Sequence, residues 1–191
     1  EGGAIPGIGF LEEVSLGKKV DIGNDVVVVG GGNTAIDCAR TARRLGAASV
    51  AILYRRTRKE MPANDVEIEA AEREGVRMEF LAAPTKMAAT ASGVELTCVR
   101  MELGEPDASG RRRPVPKPGS EFVVKASAVI SAIGQGVDAD GLEPEEAGIK
   151  LTKWHTLDVD PDTFATSRAG VFAGGDCATG ADIAVTAIAA G

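Results

Sequence analysis

Asp25-Val-Val-Val-Val-Gly30-Gly-Gly-Asn-Thr-Ala35 is the stretch on which the reading of the fold turns. Four consecutive β-branched residues suit a strand buried on both faces, as strands of a parallel sheet are. The three glycines after them leave no side-chain bulk at the turn. From Ala35 a helical spacing begins, with Ile36, Ala39, Ala42 and Leu45 marking one face and Gly46 as the stop. Ser49-Val-Ala-Ile-Leu-Tyr54 then reads as a second strand. Strand, helix and strand within about 30 residues make a βαβ unit, whose crossover should be right-handed.

Outward from this unit, residues 55–63 form a loop. Asn64 with Glu67 resembles a capping box and opens a helix that ends near Gly75. Residues 76–81 make a third strand. The grammar then changes. Residues 94–103 read as a long strand whose alternation slips between Cys98 and Val99, as at a bulge. A polar stretch over 104–120 and a strand over 121–125 complete a β-meander. Residues 128–133 are apolar and re-enter the parallel sheet, ending at Gly134. Residues 1–24 read as irregular, with an apolar patch at Ile8, Phe10 and Leu11. Residues 136–150 read as acidic loop. Residues 171–176 read as a short strand, followed by a loop and a helix over 182–190. The expected class is α/β: a Rossmann-like parallel sheet with helices on both faces and an inserted antiparallel β-meander.

Composition limits the function classes. Apolar residues are 44% and charged residues 26%, which excludes a disordered or collagen-like chain. The net charge of −7 argues against nucleic acid or a membrane surface as partner. No apolar run approaches the roughly 20 residues of a bilayer span, and no signal-peptide pattern opens the chain. The cysteines, Cys38, Cys98 and Cys177, contain no Cys-x-x-Cys pair. Neither a disulfide framework nor a metal site is expected, and a reducing, cytoplasmic setting fits best. The chain opens on Glu1 and stops at Gly191 within a starting helix, so it reads as a piece of a longer protein.

Gly30-x-Gly32-x-x-Ala35 follows a strand and opens a helix, which is the context a dinucleotide fingerprint needs. Gly30 permits the tight turn. Gly32 lets a pyrophosphate approach the backbone. Ala35 keeps helix and strand close. Gly31, Asn33 and Thr34 complete the turn, and the helix N-terminus offers N–H groups and partial positive charge to phosphates. The second strand runs into Arg55 and Arg56 where an NAD enzyme places a carboxylate for the ribose hydroxyl. Arginine forks match a 2′-phosphate, so NADP(H) is expected; the alternative is a solvated loop. A second basic run, 111–117, reads as solvated surface. His155, the single histidine, has no companion ligand, and no Ser/His/Asp arrangement or Tyr-x-x-x-Lys pair is present. No catalytic side chain and no metal ligand is expected, because hydride transfer rests on positioning.

Residues 26–40, 54–63, 131–135 and 171–176 together resemble the small (beta) subunit of NADPH-dependent glutamate synthase and related NADPH:acceptor oxidoreductases. The resemblance implies an FAD domain interrupted by an NADPH domain. Residues 25–133 would be the NADP(H)-binding domain, 1–24 a linker crossing from an FAD domain outside this chain, and 134–191 a partial return of that FAD domain. It places Ile133 and Gly134 towards the nicotinamide, and Gly175 and Asp176 at the FAD diphosphate–ribityl region. On chemistry alone, Asp176 could equally be a helix cap. The family passes hydride from NADPH to FAD and electrons through iron–sulfur clusters to a partner subunit. In this chain the FAD site would be incomplete. The alternative reading is a non-catalytic NADP-binding or docking module. A homo-oligomer is a further possibility.

Overall fold

The computed structural model describes residues 3–106, 110–142 and 144–191, without the Asp140 side chain. The chain divides into two compact units, Glu1–Gly134 and Gln135–Gly191.

The first unit is built on a five-stranded sheet in which every pairing is parallel. Its strands are β1 (Ile5–Pro6), β2 (Asp25–Val29), β3 (Ser49–Tyr54), β4 (Arg77–Phe80) and β9 (Ala128–Ser131), in the order β1-β9-β2-β3-β4. Helices α1 (Gly7–Ser15), α2 (Asn33–Arg44) and α3 (Asp65–Arg73) connect them. The antiparallel strands β5 (Ala82–Thr90), β6 (Gly93–Pro106), β7 (Arg112–Pro116) and β8 (Phe122–Ala126) intervene between β4 and β9.

The valines of β2 show how the layers are arranged. Val26 and Val28 face one way, into a core with Phe10, Ile36, Ile52, Ile68 and Ile130. Val27 faces the other way, against Leu53, Leu96, Cys98, Ala126 and Val129. Each buried Val, Leu, Ile or Phe among them contributes roughly 1.5–3 kcal/mol through burial. All three helices of this unit therefore lie on one face of the parallel sheet, and the antiparallel sheet covers the other. This corrects the expectation of helices on both faces. A strand buried on both sides needs two covering layers, and the meander supplies the second.

The expected strands and helices of the βαβ unit form within a residue or two of their expected bounds. The N-terminal segment differs from the irregular reading. Phe10 is fully buried, and β1 pairs with β9 through Ile5 and Ile130. Strands β5 and β7 also form where none was expected. The slip in β6 is real, since Leu96, Cys98, Val99 and Met101 are all buried. The slip coincides with a change of partner, since β6 pairs with β8 up to Cys98 and with β7 from Met101, and the β5 register shifts between Pro84 and Lys86 opposite Cys98 and Thr97.

In the second unit, isolated bridges join Leu151 to Leu157, Val159 to Thr166 and Ala165 to Phe172. The strand expected over 171–176 reduces to the bridge at Phe172. Two short helices follow, α4 (Asp176–Thr179) and α5 (Ala184–Ala190). Asp160 Oδ1 accepts from the Asp162 and Thr163 N–H groups and the Thr163 hydroxyl. Those bonds, the hydroxyl's first, hold its carboxyl below the ordinary value of 3.8.

Candidate dinucleotide site

The chain order of the sheet reverses at β2: β3 lies on one side and β9 on the other. In open α/β sheets such a switch point, at the carboxyl ends of the strands, is where ligands bind. The glycine turn stands there.

The three glycines are required for different reasons. Gly30 has φ +149°, and a Cβ on it would overlap the carbonyl oxygen of Ala132 and lie 3.2 Å from the Ala35 Cβ. A Cβ on Gly31 would run into the Tyr54 ring. Gly32 has ordinary extended backbone (φ −90°). The nearest atom to a Cβ there is Pro62 Cγ at 3.9 Å. Nothing inside the protein requires a glycine at 32, and the space beside it is open.

Gly32 caps α2, whose twelve residues run directly into the core. The helix begins with the Ala35 N–H bonded to the Gly32 carbonyl at 3.0 Å. Among the described residues, no acceptor meets the N–H groups of Gly32, Asn33 or Thr34. A helix end with open donors and an approachable backbone is suited to an anion.

The arginine loop is fastened to this turn. Ala63 N–H donates to the Gly31 carbonyl at 3.2 Å. Asn64 N–H donates to Asn33 Oδ1 at 3.0 Å. The Tyr54 hydroxyl donates to the Glu60 carbonyl at 2.7 Å. Within the loop, Glu60 Oε2 accepts from the Thr57 N–H at 3.1 Å and the Thr57 hydroxyl at 2.5 Å. The Thr57 bonds hold the Glu60 carboxyl below its ordinary value of 4.5. The pattern Thr57-x-x-Glu60 is a capping box that could have been read from the sequence.

The two adjacent arginines diverge. Arg55 is exposed and makes no ion pair or hydrogen bond among the described residues. Arg56 is only 6% exposed, and its Nε donates to the Arg112 carbonyl at 2.7 Å. Of their neighbours, Arg58 pairs with Glu72 at 2.7 Å and Lys59 is exposed. The 111–117 run lies largely on the surface, as expected, but residues 112–116 form the strand β7 rather than a loop. Arg112 donates to the Leu103 and Gly104 carbonyls at 2.6 and 3.0 Å.

Ile133 and Gly134 leave the sheet at the same edge as the glycine turn. The Ala132 N–H bonds the Val29 carbonyl at 2.8 Å, and Ile133 is 77% exposed. Gly175 and Asp176 belong to the second unit. Gly175 has φ +69°, and a Cβ there would meet the Ala187 Cβ at 3.1 Å. Asp176 is exposed, and its Oδ1 accepts from the Asp182 N–H at 3.3 Å.

The other titratable groups offer no second chemistry. Burial pushes the Cys38 thiol up to about 12 and the Cys98 thiol up to about 11, so neither is a ready thiolate. All three cysteines are free. Among the described residues no acidic, histidine or cysteine cluster could hold a metal, and no helix is long and apolar enough to cross a membrane. A cavity of about 290 Å³ opens between the two sheets, lined by Asp25, Ser49 and Arg77. Those residues start their strands, so the cavity lies at the amino ends, away from the glycine turn.

The chain is 50% identical to the NADP(+)-dependent formate dehydrogenase subunit beta of Moorella thermoacetica, over 100% of this chain and 27% of that protein. It is 56% identical to the NADPH-Fe(3+) oxidoreductase subunit beta of Geobacter sulfurreducens, over 79% of this chain and 23% of that protein. It is 44% identical to the glutamate synthase [NADPH] small chain of Azospirillum brasilense, over 92% and 38%. The chain thus spans well under half the length of these relatives. Thioredoxin reductase of T. acidophilum shares the fold, with a TM-score of 0.64 at 18% identity over 85% of this chain and 47% of that one. The family model described as pyridine nucleotide-disulphide oxidoreductase matches residues 5–191, and the chain belongs to that family.

Proposed function

We propose that this chain is the NADP(H)-binding part of a flavin-dependent oxidoreductase. In the whole protein, hydride would pass from NADPH to FAD, and electrons onward through iron–sulfur centres to a partner subunit. The observation that carries the reading is Gly32, a glycine whose space no protein atom uses, beside unpartnered helix N–H groups. The names of the relatives, each an NADP or NADPH oxidoreductase subunit or chain, point the same way.

The nicotinamide, when bound, supplies the hydride. The rest is positioning by residues of the chain. Gly30 and Gly31 set the turn, and Gly32, Asn33 and Thr34 present N–H groups to the pyrophosphate. Ala35 keeps α2 against β2. Arg55 meets the 2′-phosphate. Arg56, assigned to the same phosphate from sequence, is held under the hairpin and acts there by fixing the loop. Ile133 and Gly134 border the nicotinamide end, where an exposed apolar side chain would shield the ring from water. Gly175 and Asp176 would serve the FAD diphosphate–ribityl region, and residues 134–191 the FAD domain. No side chain is assigned a proton-transfer role.

Calorimetric titration of the 191-residue chain tests this. NADP⁺ should bind at least about tenfold more tightly than NAD⁺, the size of one charge-assisted contact. Arg55→Glu should abolish that preference while leaving NAD⁺ binding in place. Equal affinities in the unaltered chain would refute the assignment of nucleotide.

A further inference from the structure

The 111–117 run reads from sequence as solvated surface, but the structure ties the β6–β7 hairpin that carries it to the arginine loop. The Leu81 N–H donates to the Arg56 carbonyl at 3.1 Å, and the Met101 N–H donates to the Leu81 carbonyl at 2.8 Å. From the side-chain end, Arg56 Nε donates to the Arg112 carbonyl at 2.7 Å. Arg56 therefore joins the end of β3 directly to β7 and, through Leu81, to β6. β3 is the strand whose carboxyl end faces the adenosine ribose in this class of sheet.

Arg112 sits where this joint closes. Its guanidinium donates to the Leu103 and Gly104 carbonyls, next to the register shift between Leu103 and Pro106. Both acceptors are neutral, and among the described residues no carboxylate pairs with it. Its guanidinium is therefore held by backbone carbonyls within the hairpin that Arg56 ties to the end of β3. A cation fixed by backbone acceptors needs little reorganisation to favour a dianionic group nearby.

We propose that the β6–β7 hairpin is a second wall of the adenosine end of the site, docked by Arg56 and charged by Arg112, and that it helps select the 2′-phosphate. This rests on the NADP(H) reading above. Arg112 is a specificity-determining residue acting through charge, and Arg56 is a positioning residue.

The test is titration of NADP⁺ and NAD⁺ into the 191-residue chain and its Arg112→Gln and Arg112→Lys variants. Arg112→Gln should weaken NADP⁺ roughly three- to tenfold, as expected for one partly screened cation, with NAD⁺ unchanged. The effect should shrink at high salt. Arg112→Lys keeps the charge without the fork and should retain most of the preference. Equal weakening of both nucleotides by Arg112→Gln would reduce the residue to a structural role and overturn the inference. So would a preference unaltered by Arg112→Gln, even with Arg55→Glu abolishing it. Absence of any NADP⁺ preference in the unaltered chain would instead overturn the nucleotide assignment on which the inference stands.

Discussion

The chain carries two glycine turns that each open a helix, and the structure uses their glycines differently. At Gly30–Gly32 the helix runs for twelve residues, and only the first two glycines are required by the protein's own packing. At Gly174–Gly175 the helix lasts four residues, and protein atoms crowd the space beside both glycines. A Cβ on Gly174 would come 3.0 Å from the Ala190 Cβ, and one on Gly175 would come 3.1 Å from the Ala187 Cβ. The second turn is filled by the chain itself, through α5. The first keeps one glycine whose space no protein atom fills. A Gly-Gly string alone does not distinguish these cases. What does is whether a Cβ would strike protein.

The largest expected effect breaks the first turn. Gly30→Ala forces a side chain onto φ +149° and against the Ala132 carbonyl. Backbone strain and overlap together should cost about 3 kcal/mol or more. Thermal unfolding should show a fall of many degrees or loss of the folded transition. The matching change in the second turn, Gly175→Ala, meets a side-chain carbon at 3.1 Å with φ +69°. It should cost about 1–2 kcal/mol. A Gly175→Ala loss as large as that of Gly30→Ala would erase the distinction between backbone overlap and side-chain contact.

Gly32→Ala sharpens the comparison by separating stability from binding. With φ −90° and 3.9 Å of clearance, the variant should keep its stability within about 0.5 kcal/mol. Its added methyl occupies the space assigned to the pyrophosphate, so NADP⁺ affinity should fall about tenfold or more. Melting and titration on one preparation check both halves. A stable Gly32→Ala variant with undiminished affinity would show that the open space is not a binding surface.

Local backbone demands decide how much of this fold is legible in the sequence. The βαβ unit was legible because Val26–Val29, the glycines and the Ala35–Ala42 face each report a local backbone demand. The meander was only half legible. β5 is Ala-rich over Ala82–Thr90 and lacks alternation, and β7 is Arg-Arg-Pro-Val-Pro, a composition tolerated at a sheet edge but weak as a strand signal. Both strands form through pairing with β6, not through local preference. The helical N-terminal segment was hidden by Gly7 and Gly9, which lower propensity while Phe10 is fully buried. Among site residues, the roles of Gly30 and Ala35 follow from the turn itself. The divergence of Arg55 and Arg56 does not, because Arg56 is bonded to a carbonyl 56 residues away.

The smallest expected effect concerns how the first turn keeps its arginine loop. The loop depends on the Thr57–Glu60 box, in which the Glu60 carboxylate accepts two bonds that favour its charged form. Its folded pKa lies below the ordinary 4.5. A depressed carboxylate pKa adds stability that is complete well above the unfolded value and is lost as pH falls through the folded one. Glu60→Gln should therefore melt slightly below the unaltered chain at pH 7, by about 2 °C or less. The gap should close as pH drops below 4.5. Other carboxylates, such as Glu74 held low by Arg44 and Arg40, titrate in the same acid range. They are common to both proteins, so the difference between the two melting curves isolates Glu60. A gap that persisted unchanged at pH 3 would mean that the glutamate supports the loop through shape alone, without its charge.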